Sequence, residues 1–158
     1  MINVIGQGYI GLPTALMFSA HGLKVVGTDL DENKIKKLSH GELTFKEENM
    51  NEIYKEALNS GIKFSTDYQK TDFYIICVPT PYDSKSKRLD PSYVIDAVNK
   101  VLDNCDKGSI IVIESTVSPG THDKYIKPIF KQRGVVLGED VHLVHAPERI
   151  LPGNMIYE

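Results

Sequence analysis

No excess of charge of either sign marks this chain: 18 Lys and Arg stand against 21 Asp and Glu, a formal net charge of −3. With no strongly basic face in view, nucleic acid is excluded as the main partner. No stretch approaches the ~20 apolar residues of a membrane span. Met1-Ile2-Asn3-Val4-Ile5-Gly6 opens without a cationic leader, so the expectation is a cytoplasmic protein with no membrane contact. Cysteine is scarce. Cys77 and Cys105 lie 28 residues apart, outside metal-ligand spacing, so reduced thiols and no metal site are expected. Internal repeats and low-complexity linkers are also missing. What remains is 158 residues, 41% hydrophobic and 25% charged, the make-up of one ordinary domain. A chain of this length removes roughly 70% of its unfolded surface from water, so its core needs no disulfide or metal staple.

Short β-rich runs alternate with segments of helical period from end to end, the pattern of βαβ units around a mostly parallel sheet. The spacing predicts strands at 2–5, 24–28, 63–65, 73–78, 109–113 and 141–144. Leu12, Ala15, Leu16 and Ala20 share one face of a first helix, with Pro13 tolerated in its first turn and Gly22 as its stop. Asp31 is placed to cap a helix carrying Ile35 and Leu38; Met50, Ile53 and Ala57 mark another. Asp90-Pro91 reads as a cap with proline at the first helical position, followed by Val94, Ile95, Val98, Val101 and Leu102 at helical spacing. Tyr125, Ile126, Ile129 and Phe130 form a last amphipathic segment, in which Pro128 must kink the helix or delay its start.

Gly6-Gln7-Gly8-Tyr9-Ile10-Gly11 follows a predicted strand and opens a predicted helix. In that place Gly6 makes the tight turn, Gly8 lets backbone approach a pyrophosphate, and Gly11 lets helix and strand pack closely. Asp29 comes 21 residues after Gly8, where a carboxylate accepts ribose hydroxyls and repels a 2′-phosphate, favouring NAD over NADP. Lys34 stands within reach of the same ribose. Capping a helix start is the competing role for Asp29 or Asp31. The expected architecture is a Rossmann-type, doubly wound α/β fold, a mostly parallel sheet with helices on both faces.

Loops beyond the carboxyl ends of the other strands should line the same crevice. Pro79-Thr80-Pro81 either ends a strand as a rigid turn or presents Thr80 to the cofactor. Glu114-Ser115-Thr116-Val117-Ser118-Pro119-Gly120 offers hydroxyls and a carboxylate, or caps the next helix. Pro147-Glu148-Arg149 places an acid and a base past the last strand, as a solvated pair or as site residues. Cys77 falls in an apolar run and Cys105 among acidic neighbours, so neither reads as an activated nucleophile.

Together, Gly6-Gln7-Gly8-Tyr9-Ile10-Gly11-Leu12-Pro13, Cys77-Val78-Pro79-Thr80-Pro81, Glu114-Ser115-Thr116-Val117 and Pro147-Glu148-Arg149 closely resemble the N-terminal part of the UDP-glucose/GDP-mannose dehydrogenase family. Ala146-Pro147-Glu148-Arg149-Ile150-Leu151-Pro152-Gly153 looks most like its UDP-N-acetyl-D-mannosamine branch. UDP-glucose and UDP-N-acetylglucosamine branches, and a non-catalytic NAD(H)-sensing module, are the alternatives. A methyltransferase also pairs a glycine turn with an acid, but the three later motifs count against it.

The resemblance implies oxidation of a nucleotide sugar's C6 alcohol to a carboxylate by NAD, through a thioester on a cysteine. It implies that Gly6, Gly8, Tyr9, Ile10, Gly11, Asp29, Lys34, Pro79, Thr80, Ser115 and Thr116 bind NAD. Thr116 would also stand near the reacting centre, Glu148 would help hydrolyse the thioester, and Arg149 would organise the sugar side. In the family the nucleophilic cysteine, the catalytic lysine, the long central helix that forms the dimer and the domain that holds the UDP-sugar all lie further along. Residues 1–158 are therefore expected to be one NAD-binding domain of a longer, homo-oligomeric protein, inactive alone.

Overall fold

The computed structural model describes residues 1–148. Arg149 and the residues after it, among them Met155, Ile156 and Tyr157, lie outside the described part.

Six parallel strands form one sheet: β1 (Ile2–Ile5), β2 (Val25–Thr28), β3 (Lys63–Ser65), β4 (Phe73–Ile76), β7 (Ser109–Ile113) and β8 (Val141–His145), in the order β3-β2-β1-β4-β7-β8. The chain works outward from β1 to one edge, then returns to β4 and works outward to the other. The strand order therefore reverses between β1 and β4, where adjoining loops diverge and leave a crevice.

Side chains alternate across each strand and so feed two cores. Val4 and Ile75 point to a core shared with Leu12, Ala15 and Leu16 of α1 (Gly11–Ala20), Leu38 of α2 (Glu32–Ser39) and Tyr54 and Ala57 of α3 (Met50–Asn59). Ile5, Tyr74, Ile76, Ile111 and Ile113 point to the other, under α4 (Ser92–Asn104) and α5 (Lys127–Gln132). Helix α4 presents Val94, Ala97, Val98 and Val101 as one buried stripe. Buried Asn3 ties the two halves: its Nδ2 donates to Val26 O at 3.0 Å and to Thr28 Oγ1 at 2.7 Å, while its Oδ1 accepts from Gln69 N at 3.1 Å. Among the described residues no helix is long and apolar enough to cross a membrane.

The expected α/β sheet with helices on both faces is what forms, and its departures from expectation are local. Strand β2 starts at Val25 rather than Lys24, and the β4 ladder stops at Ile76, because Cys77 and Val78 already lead into the prolines. Strand β8 runs one residue further, to His145. Helix α4 starts at Ser92, with Pro91 as its cap residue and Asp90 Oδ1 accepting from Ser92 N at 2.9 Å. Ile53 is only half-buried; Tyr54 takes the inner position of α3 and donates to Leu38 O. A two-stranded hairpin, β5 (Tyr82–Asp83) with β6 (Arg88–Leu89), was not expected, and strands of two residues are too short to show a period.

Pro128 delays its helix, as anticipated. A π-helical turn, His122–Ile126, precedes α5, and Lys127 N–H bonds back to His122 O. Proline has no N–H for the preceding turn and its ring crowds the carbonyl four residues back, so the backbone widens there.

Candidate functional site

The turn between β1 and α1 is built from three glycines with three different reasons. Gly6 adopts φ +90°, and a Cβ there would stand 2.6 Å from Cys77 O. A Cβ on Gly11 would fall 1.8 Å from Gly6 O, so Gly11 is a packing residue of the turn and does not line the crevice. A Cβ on Gly8 would meet nothing within 4 Å: the backbone there faces open space. Helix α1 begins behind it with no side-chain cap and no acidic residue in its first turn, which leaves its N–H groups and partial positive charge turned to the crevice.

Asp29 follows β2 and leans over this turn. Its Oδ2 accepts from Gln7 N at 2.8 Å and from Lys34 Nζ at 2.6 Å, and its Oδ1 accepts from Asp31 N at 3.0 Å. Capping belongs to Asp31, whose Oδ1 accepts from Asn33 N at 3.0 Å and Lys34 N at 3.1 Å. The helix cap is therefore Asp31 and not Asp29. Asp29 is the crevice carboxylate, set in place by its neighbours' donors.

The loops after β4, β7 and β8 are stitched together. Thr80 Oγ1 donates to Thr116 O at 2.8 Å, Ser115 Oγ to Val78 O at 2.8 Å, and Thr116 Oγ1 to Glu148 O at 3.3 Å. Glu148 N in turn donates to Glu114 O at 3.3 Å. All three hydroxyls are spent on these loops; Ser115 is buried, whereas Thr80 is half-buried and Thr116 exposed.

Two cavities of about 350 and 340 Å³ open on either side of Gly6, Asp29, Lys34, Val78 and Pro79, which line both. The first is walled by Leu30, Tyr68, Tyr93 and Asp96, the second by Gly8, Tyr9, Ile10, Thr80, Ser115, Thr116, Cys77 and Glu114. Ten of the crevice residues expected from sequence are thus brought together: Gly6, Gly8, Tyr9, Ile10, Asp29, Lys34, Pro79, Thr80, Ser115 and Thr116. Glu148 lies half-buried behind the Thr116 loop, and Arg149 falls outside the described residues.

Sequence reasoning missed Tyr68, Tyr93 and Asp96, and left the Glu114 carboxylate open between a crevice group and a cap. Tyr68 stands just beyond β3, so the rule that loops past strand ends line the crevice would have found it. Burial pushes its hydroxyl well above the ordinary tyrosine range, with Asp96 and Asp29 adding to the shift, and Lys100 Nζ sits 5.8 Å from its ring centre. Cys77 Sγ donates to Glu114 Oε2 at 2.9 Å. Burial first, then the Glu114 carboxyl, raises the Cys77 thiol well above its usual range, which keeps it protonated and unreactive. Burial raises Cys105 as well.

An open glycine backbone, an uncapped helix start and a carboxylate on the neighbouring strand define a dinucleotide-binding sheet, and the residues present fit such a ligand. The chain belongs to the UDP-glucose/GDP-mannose dehydrogenase family: that family's NAD-binding domain matches residues 1–158. It is 43% identical over 161 residues to UDP-N-acetyl-D-mannosamine dehydrogenase of Methanococcus vannielii, covering 99% of this chain and 36% of that protein. Among solved structures, UDP-N-acetyl-mannosamine dehydrogenase Cap5O from Staphylococcus aureus superposes with a TM-score of 0.93 at 43% identity, covering 98% of this chain and 38% of that one. GDP-mannose dehydrogenase from Pseudomonas aeruginosa, solved as a ternary complex, gives 0.88 at 26% identity, covering 98% and 37%. The chain spans little more than a third of the length of the relatives it matches.

Proposed function

We propose that residues 1–158 are the coenzyme domain of an NAD-dependent nucleotide-sugar 6-dehydrogenase whose substrate is UDP-N-acetyl-D-mannosamine. The observation that carries the coenzyme half is Asp29, fixed by three donors beside the open backbone at Gly8. Identity with relatives named for that sugar supports the substrate half.

In this reading Asp29 accepts the adenosine ribose hydroxyls, with Lys34 beside it. Amides of the Gly6–Gly11 turn and the start of α1 hold the diphosphate, with Tyr9 and Ile10 over it. Tyr68, Tyr93 and Asp96 wall the adenine side; Pro79, Thr80, Ser115 and Thr116 shape the nicotinamide side. When bound, NAD⁺ supplies the hydride acceptor. Thr116 positions the reacting centre, Glu148 takes a proton from the water that hydrolyses the thioester, and Arg149 orients the sugar. Neither Cys77 nor Cys105 stands in the motif of the family's nucleophile, so in this reading the thioester forms on a segment further along, and residues 1–158 alone bind coenzyme without turnover. The same reading places the protein in the cytoplasm, away from nucleic acid, as a homo-oligomer joined through segments outside 1–158.

Fluorescence titration of residues 1–158 with NADH and NADPH tests the coenzyme half. NADH should bind at least about tenfold tighter, since a 2′-phosphate beside Asp29 places like charges together; equal affinity would remove Asp29 from its role. The product of the complete gene, assayed with UDP-N-acetyl-D-mannosamine and UDP-glucose in parallel, tests the substrate half, and a preference for UDP-glucose would overturn it.

A further inference from the structure

Glu114 directly follows β7 and lines the 340 Å³ cavity together with Gly8, Thr80 and Thr116. Its Oε2 accepts the Cys77 thiol at 2.9 Å and the Thr14 hydroxyl at 3.5 Å. Among the described residues no lysine, arginine or histidine pairs with it. A partly buried carboxyl without a counter-ion is costly to keep ionised. Among the described residues no backbone N–H donates to this carboxyl, which takes its bonds from two side chains and so caps no helix or turn. The residue lines the 340 Å³ cavity which, on the dinucleotide reading, receives the half of the coenzyme past the diphosphate at Gly8.

The two redox forms of that half differ in one respect that a carboxylate can sense: the oxidised nicotinamide ring is a cation and the reduced ring is neutral. We propose that Glu114 is the counter-charge that makes this crevice hold the oxidised coenzyme more tightly than the reduced one. The inference rests on the dinucleotide reading of the crevice and deepens it. Such a group favours loading of the oxidant and discharge of the spent form.

The groups facing Glu114 set how its ionisation responds. From the loop after β4 comes the Cys77 thiol, a donor; from α1 comes the Thr14 hydroxyl; from the loop after β8 comes Glu148, a like charge. Burial, with Glu148 adding to it, raises the Glu114 carboxyl above the ordinary glutamate range, against the smaller opposing effect of the two donors. A cationic ring beside it reverses that shift, so binding of NAD⁺ releases a proton that binding of NADH does not.

Calorimetric titration of the full chain with NAD⁺ and with NADH across a pH series, for the natural protein, Glu114→Gln and Glu114→Asp, tests this. The natural protein's preference for NAD⁺ should grow as pH rises above the ordinary glutamate range, and Glu114→Asp should retain that trend. Glu114→Gln should lose about tenfold in NAD⁺ affinity, the scale of one charge pair near a protein surface, keep its NADH affinity, and show no pH trend in the ratio. If the NAD⁺ to NADH ratio of Glu114→Gln follows that of the natural protein at every pH, the inference fails while the coenzyme reading stands. If neither form binds the natural protein, the reading beneath it fails and takes the inference with it.

Discussion

Asp29 carries two loads at once. Its side chain is 13% exposed and Lys34's 27%, so their 2.6 Å contact is better shielded from solvent than the other ion pairs among the described residues. Replacing it with alanine strands the Gln7 and Asp31 amides and the Lys34 ammonium, and removes the acceptor offered to the ribose. Hydrogen bonds to charged groups are each worth about 1.5–3 kcal/mol. Asp29→Ala should therefore weaken NADH roughly 10- to 100-fold, while NADPH weakens less because its repulsion goes too. A titration in which the NADH to NADPH ratio is unchanged would separate Asp29 from coenzyme choice. This residue was legible from spacing alone, because a glycine turn fixes where the end of the second strand must stand. Glu114 was not: its meaning comes from Cys77 and Thr14, which are 37 and 100 residues away in sequence.

At the scale of elements, the β1–α1 junction separates what folding needs from what binding needs. Gly11 has no room for a side chain, since a Cβ would overlap Gly6 O, a backbone atom that cannot swing aside. Gly8 has room, but in the space a diphosphate would fill. Gly11→Ala should thus lower the melting temperature steeply, as overpacking costs about 1–3 kcal/mol or more, whereas Gly8→Ala should melt within a few degrees of the natural protein and bind NADH poorly. Thermal melts with and without NADH check both; full NADH affinity in Gly8→Ala would move the diphosphate elsewhere. The strands were readable because their apolar runs must satisfy two cores, and α4 because its stripe keeps one period over three turns. The β5–β6 hairpin and the π-helical turn were not. The first is held by two residue pairs, and the second is a backbone response to Pro128 that only the packing of Ile126 and Phe130 fixes.

For the molecule as a whole, two groups near the carboxyl ends of β7 and β8, Glu114 and the His122 that packs on His145, set opposing dependences of stability on pH. Burial, then His145 and Lys127, lowers His122 below the 6.5 of a free histidine. The unfolded chain then binds the proton first as pH falls, so this histidine's contribution is present above 6.5 and lost on acidification through its folded value. Glu114 is raised above the 4.5 of a free glutamate, so here the folded chain holds the proton, and stability drains away as pH rises from 4.5 through the folded value. The exposed ion pairs of Asp72, Asp123 and Asp140 weaken only below the ordinary carboxylate range and contribute little. Where the two titration ranges overlap, above 4.5 and below 6.5, the slopes from His122 and Glu114 therefore oppose each other. Removing either should expose its partner. Melting temperature should climb with pH more steeply in Glu114→Gln than in the natural protein, and less steeply in His122→Phe, which keeps a ring against His145. Curves that run parallel in all three proteins would show that neither group exchanges its proton with folding.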